Sequence, residues 1–89
     1  MPEICRFYGI IIRIFTETGE RHHTPHIHVY YQDQKAVYGI NPIELLAGEL
    51  PRRQQRLVEA WMELHREELL EVWRLALAGE PVNKITPLQ

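Results

Sequence analysis

Four of the five histidines in this sequence stand within seven residues, in the segment His22-His23-Thr24-Pro25-His26-Ile27-His28. Imidazole titrates near neutrality, with an ordinary pKa of about 6.5, so it can both take and give a proton there. In its neutral form it is also the commonest metal ligand. His26 and His28 are two apart in a run of strand-forming residues. On a strand that spacing puts both rings on one face, with Cα atoms roughly 6.6 Å apart. Ile27 and Val29 then face the other way, into the core. His22 and His23 lie one loop earlier.

Three kinds of chemistry fit this pattern. One is a divalent metal such as zinc at His26 and His28, with His22, His65, Glu17 or Glu20 as a third donor. Another is acid–base cleavage of a phosphodiester, in which one histidine takes a proton from a 2′-hydroxyl and the other protonates the leaving oxygen. Arg6 or Arg13 would stabilise the developing charge, beside Tyr30. The last is a docking edge for a protein partner. The bland alternative is a polar loop and a half-exposed strand without a role.

A second cluster, Arg52, Arg53 and Arg56, follows Pro51. Cations in the first turn of a helix oppose its dipole, whereas an anion there meets both the arginines and the free backbone N–H groups. Phosphate is therefore the candidate ligand. Pairing with Glu49, Glu59 or Glu63 is the ordinary alternative.

The elements that must position these residues fall into two halves. Residues 1–47 read as sheet, 51–79 as helix and 80–89 as an extended tail, within a single domain of 89 residues. Ile4 to Phe15 reads as one strand with Tyr8, Ile10, Ile12 and Ile14 toward the core; Gly9 marks a bend, a bulge or a close approach. His26–Tyr31 and Lys35–Ile40 form an antiparallel hairpin across Gln32-Asp33-Gln34. Asn41-Pro42 breaks the ladder, and Ile43–Ala47 adds a short strand. From Arg52 a stripe of Leu57, Trp61, Leu64, Leu69, Val72, Trp73 and Ala76 recurs at helical spacing. It is interrupted at His65-Arg66-Glu67-Glu68, so one drifting helix or two helices meeting near His65 both fit. Gly79 caps the end and Pro81 blocks continuation. The expected fold is α+β: a small, mainly antiparallel sheet of three or four strands against a long C-terminal helix or helix pair.

An apolar fraction of 45% and a charged fraction of 25% describe a folded globular chain. The formal net charge of −2 gives no global basic field, so a nucleic acid would have to be held by a local patch. One cysteine allows no internal disulfide and fits a reducing compartment. Glu3 and Arg6 interrupt any signal-like start, and no apolar run approaches the roughly 20 residues that span a bilayer. The expectation is a cytoplasmic protein with no membrane partner. Self-association is left open.

The chain resembles the uncharacterised bacterial family called domain of unknown function 4160. The matching pieces are Met1-Pro2-Glu3-Ile4, Arg6-Phe7-Tyr8-Gly9-Ile10, Pro25-His26-Ile27-His28-Val29, Lys35-Ala36-Val37 and Leu50-Pro51-Arg52-Arg53. Trp61, Leu64-His65-Arg66, Glu68-Leu69, Trp73 and Gly79-Glu80-Pro81 continue the match. The family pattern reads Pro-Pro-His-Phe-His, where this chain has Thr24 for the first proline and Ile27 for the phenylalanine; both histidines remain. The resemblance implies a component of a gene pair arranged like a toxin–antitoxin module. The chain would be the toxin-like member, with a small cognate protein partner. The site residues expected on these grounds are His26 and His28 as acid and base, acting on RNA, with Arg52, Arg53 or Arg56 on phosphate. A non-enzymatic partner-binding module, with a metal at His26, His28 and His22, is the other reading.

Overall fold

The computed structural model describes residues 3–14 and 24–88. The isoleucine-rich opening does not run as one strand. It folds back at Tyr8-Gly9 into β1 (Glu3–Phe7) and β2 (Ile10–Arg13). Both turn residues have positive φ, +50° at Tyr8 and +78° at Gly9, which is the signature of the tight hairpin turn whose twist matches its strands. The sheet accordingly has five strands and not three or four. β3 (His26–Tyr31), β4 (Gln34–Ile40) and β5 (Ile43–Gly48) follow, in the sequential antiparallel order β1-β2-β3-β4-β5.

Alternation divides this sheet into two faces. Ile10, Ile12, Ile27, Val29, Tyr38 and Ile40 are fully buried on the inner face. Tyr8, expected there, is 57% exposed because it sits in the turn. An irregularity between Glu3 and Cys5 lets both Ile4 and Cys5 reach the core.

The helical half is two helices, α1 (Arg52–Leu64) and α2 (Arg66–Leu77). Arg, Gln, Leu, Glu and Ala are good helix formers, and the Pro51 carbonyl accepts the Gln55 N–H at 2.9 Å. The break falls at His65, whose φ of −121° leaves the helical region. Its N–H still donates to Trp61 and its carbonyl accepts from Leu69, so the backbone bonding passes through the joint. The buried face of α1 is Val58, Trp61 and Met62, joined in α2 by Leu69, Val72 and Trp73. Leu64, placed on the stripe by spacing, is instead 70% exposed at the last residue of α1. Trp61 decides this rotation: its indole N–H donates to the Thr86 carbonyl at 2.8 Å and its ring meets Phe7 at 5.6 Å. Gly79, at φ +72°, ends α2 in paired bonds, Gly79 N–H to Ala76 and Glu80 N–H to Leu75. The tail then returns along β1, where the Ile85 N–H donates to the Ile4 carbonyl at 2.8 Å. No described helix is long and apolar enough to cross a membrane.

A polar bond ties helix to sheet. The fully buried Tyr38 donates its hydroxyl to Glu59 at 2.9 Å. Burial first, and that bond second, push its phenol well above the usual value of about 10. The folded state thus holds this proton more tightly than the unfolded chain. The stability it contributes is complete below about pH 10 and drains away as pH rises further. Tyr38→Phe should cost about 1 kcal/mol at neutral pH and flatten the decline above about pH 10. Urea melts of both chains at about pH 8 and about pH 10.5 check this; parallel declines would contradict the assignment.

Candidate functional site

β3 builds the site. Because Ile27 and Val29 are committed to the core, His26, His28 and Tyr30 project from the outer face. The ladder then sets their neighbours. His28 lies between Arg13 of β2 and Val37 of β4, and Tyr30 between Ile11 and Lys35. The Arg13 guanidinium carbon stands 5.9 Å from the centroid of the Tyr30 ring, within cation–π range.

His26 and His28 are brought together but in different settings. Their ring centroids are 5.2 Å apart, edge to face. His26 starts β3 and packs against Trp73 of α2 at 4.9 Å. Its Nδ1 lies 2.8 Å from the Thr24 carbonyl. A carbonyl only accepts, so Nδ1 carries the hydrogen and Nε2 keeps the lone pair in the neutral ring. The Pro25 carbonyl accepts the Ile40 N–H, which extends the β3–β4 ladder past His26 and fixes this strand start. His28, by contrast, lines a cavity of about 290 Å³ together with Tyr30, Lys35, Val37, Ala47 and Gly48. An imidazole, a phenol and an ammonium therefore border one hollow with an apolar floor.

Lys35 and its cavity went unread in the sequence, although a signal existed. Gln32-Asp33 is a two-residue loop, which pairs Tyr31 with Gln34 and hence Tyr30 with Lys35.

None of the three arginines lines that cavity. Arg52, Arg53 and Arg56 are exposed at the start of α1, a helix whose buried residues join the inner-face core. α1 follows the end of β5 at Gly48, which pairs with Ala36, whereas His26 pairs with Gly39 farther along β4. Nor are the arginines neutralised as expected. Glu59 accepts from Tyr38 and Glu63 pairs with Arg66. No ion pair engages Arg52, Arg53 or Arg56 among the described residues.

For the metal reading, His22, Glu17 and Glu20 lie outside the described residues. Among the described residues no three His, Cys, Asp or Glu side chains come together in a cation-binding group. His65 is engaged at the helix joint, donating from Nδ1 to Glu68 at 2.8 Å with its ring 5.5 Å from Trp61. Cys5 is buried, and that burial pushes its thiol pKa up, away from the reactive thiolate.

The family described as Domain of unknown function (DUF4160) matches residues 9–74. The chain belongs to that family. The matched span runs from Gly9 in the β1–β2 turn through all the cavity residues to Arg74, three quarters of the way along α2; β1 and the C-terminal tail lie outside it. Neither the curated proteins nor the solved structures include a match to the chain.

Proposed function

We propose that this DUF4160 chain is the toxin-like member of a bacterial toxin–antitoxin-like module and acts on RNA at the outer face of its sheet. The observation that supports this is the cavity bordered by His28, Tyr30 and Lys35, with Arg13 beside Tyr30. An ammonium and a guanidinium suit phosphate, and an aromatic face suits a base. His26, with its lone pair on Nε2, takes the 2′-hydroxyl proton. The 2′-oxygen attacks phosphorus and the P–O5′ bond breaks. His28, protonated, gives its proton to the departing 5′-oxygen. Lys35 and Arg13 offset the charge that gathers on the phosphoryl oxygens. This reading moves phosphate contact from the arginines of α1 to Lys35 and Arg13. A small cognate protein would regulate the activity.

Labelled single-stranded RNA incubated with the purified chain tests this. Wild type should cleave, and His28→Ala should lower the rate by about 100-fold or more. Lys35→Ala should weaken binding and reduce its salt dependence. Circular dichroism confirms that each variant is folded. Equal cleavage by wild type and a His26→Ala/His28→Ala chain, or by neither, removes the enzymatic reading. Binding without cleavage would leave a non-enzymatic module.

A further inference from the structure

The two edges of the sheet are treated differently. Along β1 the C-terminal tail runs alongside and bonds to Ile4. Along the far side of β5 no described strand pairs and no described backbone hydrogen bond is made. Bare edges present unpaired N–H and C=O groups, and proteins usually blunt them with lysine, proline, bulges or a cover. β5 reads Ile-Glu-Leu-Leu-Ala-Gly, with no lysine or proline, and Leu45 and Leu46 are 39% and 46% exposed. Of those devices β5 carries only a bulge, at Leu46, which the ladder skips between Leu45 and Ala47.

We infer that β5 pairs antiparallel with β5 of a second copy of this chain, joining two sheets across a two-fold axis. The register follows from the strand itself. Pairing Ile43 with Gly48 and Glu44 with Ala47 sets like faces opposite each other. Ile43 and Gly48 are partnered on β4 by the inner-face residues Ile40 and Ala36. Glu44 and Ala47 are partnered by the outer-face residues Gly39 and Val37. The skipped Leu46 is what returns Glu44 and Ala47 to one face despite their spacing of three. The leucines fall at the centre, beside the dyad. The only charge in the strand, Glu44, meets an alanine. A parallel, in-register pairing would set Glu44 against Glu44, and like charges directly opposite destabilise a ladder. The contact is isologous, so it closes as a dimer. It stands independently of any action on RNA.

Sedimentation velocity over a concentration series measures this. Wild type should move from 10.6 kDa toward twice that mass as concentration rises. Ala47→Glu sets two carboxylates against each other on each side of the dyad, and should hold the chain at 10.6 kDa. Adding Glu44→Lys turns each into an opposite-charge pair, and should restore the dimer. Both substituted positions are exposed, and thermal melts confirm folding of each chain. Dimerisation of Ala47→Glu like wild type, or failure of the double variant to recover, overturns the register. A wild-type chain still monomeric at about 1 mM overturns the self-pairing, leaving the edge to a partner of different sequence.

Discussion

Trp61→Ala should destabilise the fold by about 3–5 kcal/mol, the range for emptying a buried tryptophan site. Trp61 is fully buried. It touches Phe7 from the first hairpin and His65 from the helix joint, and it holds the Thr86 carbonyl of the tail. Truncation therefore opens a cavity, leaves a carbonyl without its donor and loosens the strap over β1. Domains of this size have a total stability of only about 5–10 kcal/mol, so much of it would go. Trp61→Phe keeps most of the ring and loses the N–H, and should cost less, about 1–3 kcal/mol. Urea unfolding followed by circular dichroism reads both. A loss under about 1 kcal/mol for the alanine variant would show that the site collapses freely, against its place as anchor.

Gly48→Ala should cost at least about 2 kcal/mol, although it adds a single methyl group. Gly48 has φ +77°, where a side chain is strained. A Cβ would also lie 2.2 Å from the Lys35 carbonyl oxygen and 2.9 Å from the Ala36 Cα. Both are backbone atoms of the neighbouring strand, so relief requires β4 and β5 to part. Gly79 provides the control. Its φ is +72°, but an added Cβ meets nothing within 4 Å. Gly79→Ala should therefore cost only the conformational strain, about 1 kcal/mol. Thermal melts of the two variants separate strain from collision; equal shifts would mean that the approach to Lys35 does not matter. Because Gly48 and Lys35 also line the cavity, Gly48→Ala should weaken RNA binding as well.

Much of the architecture is legible in the sequence. The β3–β4 hairpin, the strand after Asn41-Pro42 and the end of α2 at Gly79 each carry a local signal that the structure keeps. The break near His65 was visible as a lapse in the apolar stripe, although spacing alone did not distinguish one helix from two. The first hairpin was not legible. Tyrosine is a strand former and rarely occupies positive φ, so Tyr8-Gly9 inside an isoleucine run reads as strand interior. Leu64 was misplaced because periodicity gives a stripe without saying which of its flanks is covered.

The site was legible in part. Alternation placed His26 and His28 together on the outer face. It does not separate their roles, since the packing of Trp73 and the bond to the Thr24 carbonyl distinguish His26 from the cavity-lining His28. Lys35 needed the hairpin register. The arginines of α1 stand out by charge and dipole, yet charge says nothing about which residues will line a cavity.

The central claim is that RNA meets the outer face at the His28 cavity. An amide NMR titration with a short single-stranded RNA addresses it directly. Resonances of Arg13, His28, Tyr30, Lys35 and Gly48 should shift together and saturate, while those of Arg52, Arg53 and Arg56 stay in place. Shifts confined to the start of α1, or none at all, would contradict it.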